Sequence, residues 1–201
     1  MLDARIRPLI DPHINWLAAR LGPDRLSANM MTWIGFGLGL VAMAAIANQA
    51  YLAGLFLFGL NRLADGLDGA VARHHGITDL GGYLDITLDF IIYSAIVFGF
   101  ALADPPANAL PAAFLIFSFI GTGGSFLAFA VIAAKRGIET EARGKKSLFY
   151  LGGLMEGTET IIAFILFCLF PGYFAWLALI FGVLCWLTTI GRIKIAYDQF
   201  A

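Results

Sequence analysis

Apolar residues run along this chain in long, nearly unbroken blocks. Six stand out: Met30–Ala47, Tyr51–Arg73, Gly82–Ala103, Leu110–Lys135, Leu148–Phe170 and Tyr173–Ile195. A helix of about 20 residues crosses the hydrocarbon core of a bilayer, and each block is long enough to do so. Peptide groups in hydrocarbon must satisfy one another, so blocks of this kind are predicted to be helices. A membrane β-barrel would show short segments of alternating apolar and polar residues, and the sequence has none. The stretch before the first block has a different pattern. Ile6, Leu9, Ile10, Ile14, Trp16, Leu17 and Leu21 are interspersed with Arg5, Arg7, Asp11, His13 and Arg20. That mixture predicts a partly amphipathic helix at the membrane surface, with Pro8 and Pro12 in the way of a clean first turn. It lacks the continuous apolar core of a cleavable signal peptide. The expected architecture is a single all-α integral membrane domain over residues 1–201, an interfacial helix in 1–26 followed by a six-helix bundle in 27–201.

Composition agrees with this pattern. The chain is 60% hydrophobic and 13% charged, about half the charge fraction of a soluble domain. A net charge of −1 and the lack of any recognition motif exclude a nucleic-acid partner. Cys168 and Cys185 lie inside apolar blocks without zinc-ligand spacing and read as small buried hydrophobes. The 13 Lys and Arg residues set the orientation. Four precede the first block, Arg62 lies within the second and Arg73 ends it, five fill the connection between the fourth and fifth, and two end the sixth. The connections around residues 48–50, 104–108 and 171–172 have none. The positive-inside rule then places both termini and both long connections in the cytoplasm, and the short connections make sequence neighbours antiparallel.

The second and third blocks break the rule against charge in lipid. The second holds Asn61, Arg62, Asp65 and Asp68, and the third holds Asp85 and Asp89. Intramembrane carboxylates are costly and mark functional sites. Asp65 and Asp68 are spaced i, i+3, and Asp85 and Asp89 i, i+4, so each pair shares one helix face. In antiparallel helices joined by residues 74–81, both pairs fall roughly 5–12 Å below the cytoplasmic end, at about 1.5 Å per residue. Four convergent carboxylates repel one another. A hard divalent cation, Mg²⁺ or Mn²⁺, resolves the repulsion, and two such ions could clamp phosphate oxygens for an in-line displacement. The glycines and alanines around them let helices, or a ligand, come close.

These residues resemble a known signature. Asp65, Asp68, Gly69, Ala72, Arg73, Gly81, Asp85 and Asp89 match all eight fixed positions of D-x2-D-G-x2-A-R-x7-8-G-x3-D-x3-D, the motif of the CDP-alcohol phosphotransferases. Residues 151–160, LGGLMEGTET, resemble a bacterial inner-membrane branch of that family. The resemblance implies an enzyme of phospholipid synthesis. It would move a phosphoalcohol group from a CDP-alcohol, such as CDP-diacylglycerol, to an alcohol acceptor and release CMP, without a covalent enzyme intermediate. It implies two Mg²⁺ or Mn²⁺ ions on Asp65, Asp68, Asp85 and Asp89, with Asp89 also the general base. Gly69, Ala72 and Gly81 would line the CDP pocket and Arg73 would sit near the diphosphate. A homodimer is the expected assembly.

Further positions carry open readings. Ser27 or Asn29 caps the first block, and Asn29 is also a candidate nucleotide contact. Arg62 is spaced to hold Asp65 or to reach substrate. The basic stretch with Lys135, Arg136, Arg143, Lys145 and Lys146 serves topology and anionic headgroups, or Arg136, Arg143 and Lys146 bind a phosphorylated acceptor. Glu156 and Glu159, read as inside the fifth block, recognise the acceptor, bond between helices or pair with Arg192. His74 and His75 read as solvated loop residues, Asp79 as the cap of the third block, and Asp104 as an outer residue without function. The competing class is a transporter or channel using the same intramembrane acids. The acids cluster at one end of two helices, and no pair of broken midplane helices is found. A family member that binds nucleotide or lipid without turnover is the other alternative, and the complete aspartate set argues against it.

Overall fold

The computed structural model describes residues 3–21, 27–138 and 153–201. Every regular element among them is helical: α1 (Asp3–Leu21), α2 (Ala28–Ala47), α3 (Tyr51–His75), α4 (Asp79–Ala103), α5 (Pro105–Lys135), α6 (Gly157–Leu169), a 3-10 turn at Pro171–Tyr173, and α7 (Phe174–Phe200). Four stretches are long and apolar enough to cross a membrane: α2, α4, α5 and Pro171–Phe200. α3 has 25 residues but carries Arg62, Asp65 and Asp68 within it.

Helix ends follow their caps. Ser27 Oγ accepts the Met30 amide at 3.2 Å and starts α2, so Ser27 is the cap and Asn29 lies in the first turn. Thr78 Oγ1 accepts the Gly81 amide at 3.1 Å and starts α4. The cap is therefore Thr78, not Asp79, which is the first helical residue. α5 begins five residues earlier than the apolar pattern suggests, because Pro105 and Pro106 suit a first turn that needs no amide donors and Asp104 Oδ1 accepts the Ala107 amide at 3.4 Å. Asp104 thus has a capping role.

The fifth block shows the largest departure. α6 has only 13 residues. Residues 153–156 before it are not helical, and the part of the block before residue 153 lies outside the described residues. Glu156 and Glu159 form a reciprocal capping box at its start, with the Glu156 amide donating to Glu159 Oε2 at 3.2 Å. They are therefore an end of a helix, not its interior. Gly153 lies in the non-helical stretch just before α6, where glycine disfavours helix, and the carboxylates satisfy the amides that such an end exposes.

α2 is the central strut. Its buried Gly35, Gly39, Ala42 and Ile46 let α3 and α4 both pack on it, while α3 and α4 make little backbone contact with each other. Sequence neighbours α3 and α4 thus lean on a shared helix and leave a gap between them. α5 packs on α4 and α7. The core joins Phe58 of α3, Phe100 of α4, Phe119 of α5, Phe164 and Phe167 of α6, and Phe174 of α7. Phe100 stacks on Phe174 with centroids 4.5 Å apart. α1 continues through Pro8 and Pro12. It lays Ile14, Leu17 and Ala18 on Leu67, Ala70 and Val71 of α3 and leaves Leu9, Ile10 and Trp16 exposed.

Candidate active site

The gap between α3 and α4 holds the acidic residues. Oxygens of Asp65, Asp68 and Asp85 all lie within 4.8 Å of one another. Oxygens bound to one Mg²⁺ at its usual distance stand about 2.9 Å apart when adjacent and about 4.2 Å when opposite. The three carboxylates therefore need only small side-chain adjustments to share a cation, and hard oxygen donors suit Mg²⁺ or Mn²⁺. The donor set fits the expected metal. A cavity of about 10 Å³ lies among Thr32, Asn61, Arg62, Asp65, Asp68, Asp85 and Asp89, room for roughly one water-sized particle.

Each carboxylate has its own setting. Asp68 is buried, and Thr32 of α2 donates its hydroxyl to Asp68 Oδ2 at 2.7 Å. Asp85 is exposed at the mouth. Asp89 lines the same cavity but is not one of the three clustered carboxylates. Its Oδ1 takes Arg62 Nη2 at 2.6 Å and its Oδ2 takes Arg62 Nη1 at 3.1 Å. Arg62 Nη1 is also 3.6 Å from Asp65 Oδ2. Local spacing pointed to Asp65 as the partner of Arg62; the shorter contacts go across the gap to Asp89.

The other motif positions fall around this centre. A Cβ built on Gly81 would meet Thr78 Oγ1 at 3.0 Å and Asn29 Oδ1 at 3.4 Å, so the first turns of α2 and α4 adjoin here. A Cβ on Gly69 would meet only Arg73 Nη1, at 3.5 Å, which leaves open space beside that helix face. Ala72 is half-buried on α3. Arg73 is exposed and donates to Asn15 Oδ1 of α1 at 3.0 Å. The side chains of His74 and His75, and residues Arg143, Lys145 and Lys146, lie outside what the structure describes.

A second cavity, of about 170 Å³, opens between α4, α5, α6 and α7. It is lined by Tyr93, Thr122, Glu156, Thr160 and Arg192 among aromatic neighbours. Glu156 is thus both a cap and a cavity wall. Glu159 is not part of the lining. Arg136 reaches neither cavity: Nη2 donates to the Phe200 carbonyl at 2.9 Å and its guanidinium lies 5.0 Å from the Phe200 ring centroid.

Sequence reasoning missed Thr32 as a partner of Asp68, Tyr93 beside Arg62, Asn15 beside Arg73, and Arg192 as a cavity wall. Tyr93 follows Asp89 by four residues, on the same helix face, and that spacing was a usable signal. The others are contacts between elements far apart in sequence, which no local pattern reports.

Comparison with known proteins agrees with this geometry. The family model for CDP-alcohol phosphatidyltransferase matches residues 25–188, most of the chain. The chain belongs to the CDP-alcohol phosphatidyltransferase family. It is a membrane phosphotransferase of phospholipid synthesis, transferring a phosphatidyl group from a CDP-alcohol to an alcohol. It is 50% identical to the inner membrane protein YnjF of Escherichia coli, over 98% of this chain and 96% of that one. It is 29% identical to an archaetidylinositol phosphate synthase of Aeropyrum pernix, over 94% of this chain and 89% of that one. The fold matches the Mycobacterium tuberculosis phosphatidylinositol phosphate synthase PgsA1 with CDP-DAG bound, at a TM-score of 0.71 and 20% identity, over 90% of this chain and 92% of that one. The family assignment favours group transfer over the transporter or channel reading.

Proposed function

We propose that the chain binds CDP-diacylglycerol, or another CDP-alcohol, at the α3–α4 gap and passes its phosphoalcohol group to a small alcohol held in the neighbouring cavity. The observation that carries this is the convergence of Asp65, Asp68 and Asp85 within 4.8 Å. These residues would hold the first of two Mg²⁺ or Mn²⁺ ions, and Asp89 would complete the second. A carboxylate offers about four lone-pair directions, so Asp89 can keep Arg62 on one side and present the other to a cation or a hydroxyl. Bound there, divalent cations would stabilise negative charge on the phosphate oxygens under attack. Asp89 would take the acceptor's proton. Gly69, Ala72 and Gly81 would admit the nucleotide, Asn29 would contact it from α2, and Arg73 would face its diphosphate.

The acceptor site of this reading is the cavity of about 170 Å³. A cavity of about 150 Å³ accommodates benzene, so this one suits an acceptor of similar, small size. Glu156 serves it in this reading, and Arg143 and Lys146 are retained as candidate phosphate contacts. Glu159 and Arg136 act through the helix end and the α5–α7 contact instead.

The reading also includes six membrane passes in one domain with an interfacial α1. α5 ends in Lys135 and α7 carries Arg192 and Lys194 in its C-terminal third, so the positive-inside rule puts both ends in the cytoplasm. α7 then starts on the outer side, and the chain must cross once between them, over a stretch of which the 13 residues of α6 are one part. Both termini and the site would face the cytoplasm of a bacterial inner membrane, and the resemblance of the motif extends to a homodimer.

The test is CMP release by purified protein given labelled CDP-diacylglycerol and a panel of alcohols: glycerol phosphate, inositol phosphate, serine and choline. Release that requires Mg²⁺ or Mn²⁺, stops with EDTA and yields a new lipid with one acceptor supports the reading. Metal-independent ion flux without CMP release contradicts it.

A further inference from the structure

Arg62 has a more specific arrangement than an ion pair requires. Nε donates to Asn61 Oδ1 at 2.8 Å, and Asn61 Nδ2 donates in turn to the Gly35 carbonyl of α2 at 2.8 Å. Nη1 reaches Tyr93 Oη at 3.2 Å as well as Asp89. The guanidinium carbon lies 5.6 Å from the Phe58 ring centroid and 5.2 Å from that of Tyr93. The side chain is 12% exposed. A planar fork with five N–H donors can satisfy these partners together, and an ammonium cannot. The network joins α2, α3 and α4 where α3 and α4 have little backbone contact of their own.

We propose that Arg62 is a positioning residue that aims the Asp89 carboxylate and places inside the acidic cluster a fixed positive charge against which a divalent cation must compete. The charged groups facing it are Asp65 from its own helix and Asp89 from α4, with Asp68 and Asp85 lining the same cavity; α2 contributes only Thr32, Gly35 and Phe36 to that lining. A positive charge 3.6 Å from Asp65 Oδ2 opposes cation binding there, by the same Coulomb rule that favours the ionised carboxylate. Removing it therefore tightens metal binding. It also frees Asp89 to rotate, which slows the chemical step. The two effects have opposite sign, and a purely structural role for Arg62 would weaken both.

The inference rests on the cluster being a divalent-cation site, and the test separates the two. Mn²⁺ binding is measured by electron paramagnetic resonance on purified protein without substrate, beside kcat and KM for CDP-diacylglycerol. Arg62→Met keeps bulk and removes charge. It is expected to bind Mn²⁺ about 3- to 10-fold more tightly. Its kcat should fall about 10- to 100-fold, with KM for the donor within about threefold of wild type. Arg62→Lys is expected to bind Mn²⁺ as wild type does and to recover part of kcat. Weaker or unchanged Mn²⁺ binding in Arg62→Met, or turnover at the wild-type rate, overturns the proposal alone. Absence of Mn²⁺ binding in wild type overturns the metal site and the proposal with it. Should Arg62→Met fail to elute as folded protein, Arg62→Lys decides: kcat about tenfold down with KM held supports the proposal, and wild-type kcat overturns it.

Discussion

The hydroxyl of Thr32 on α2 lies 2.7 Å from Asp68 Oδ2 on α3, inside the carboxylate cluster. α2 thus both supports the two site helices and orients one of the proposed metal ligands. Partners that orient metal ligands typically change affinity or activity by about 10- to 100-fold when removed. Thr32→Val, which keeps the shape and loses the hydroxyl, is expected to lower Mn²⁺ affinity or turnover about tenfold. A calorimetric Mn²⁺ titration beside a CMP-release assay checks this.

Asp68→Ala removes a buried carboxylate of the triad. It is expected to reduce CMP release by at least about 10³-fold, as loss of a group that acts as part of a catalytic unit does, while the protein still inserts and elutes as a folded species. Retained turnover would remove Asp68 from the metal site.

Gly81→Ala places a methyl group 3.0 Å from Thr78 Oγ1 and 3.4 Å from Asn29 Oδ1. The neighbours must shift by a few tenths of an ångström, and the proposed nucleotide pocket narrows. The expected result is a rise of about 3- to 10-fold in KM for the CDP donor with a smaller change in kcat. Initial rates against donor concentration read it.

How much of this was legible beforehand differs between elements. The i, i+3 and i, i+4 aspartate spacings and the short link between their helices were enough to bring all four acids to one cavity, because helix geometry fixes which residues share a face, but only Asp65, Asp68 and Asp85 cluster while Asp89 pairs with Arg62. Apolar runs found the helices but not their ends: at α6, glycines and the Glu156–Glu159 cap determine the start, and neither changes the average hydropathy much. Asp79 was read as a cap although Thr78 precedes it, and the β/extended backbone at Thr78 is what selects the capping residue. Arg62 shows the main limit. Sequence offers Asp65 three residues away, whereas Asp89 becomes its bidentate partner only when α3 and α4 are both packed on α2. The cavity beside Tyr93 and Arg192 is assembled from four helices, and no local pattern contains it.

The capping box at α6 gives a stability prediction. Glu159→Ala leaves the Glu156 amide without its 3.2 Å acceptor. Loss of a cap costs about 0.5–2 kcal/mol, and about 1 kcal/mol shifts Tm by roughly 2–4 °C in a chain of this size. Thermal unfolding in detergent should show a drop of that order, with kcat close to wild type.

Filling the second cavity separates donor from acceptor. Thr160 is buried on α6 and lines that space. Thr160→Phe is expected to raise the acceptor KM at least about tenfold while the donor KM stays within about threefold. Two-substrate steady-state kinetics distinguish this from general damage, which would move both.

The central claim is that Asp65, Asp68 and Asp85 hold a divalent cation at the α3–α4 gap. Mn²⁺ titration of the purified chain, followed by electron paramagnetic resonance, tests it most directly. Wild-type protein should bind Mn²⁺ at a saturable site, and Asp65→Asn, Asp68→Ala and Asp85→Asn should each lose that signal together with CMP release. Undiminished Mn²⁺ binding in all three variants would contradict the account.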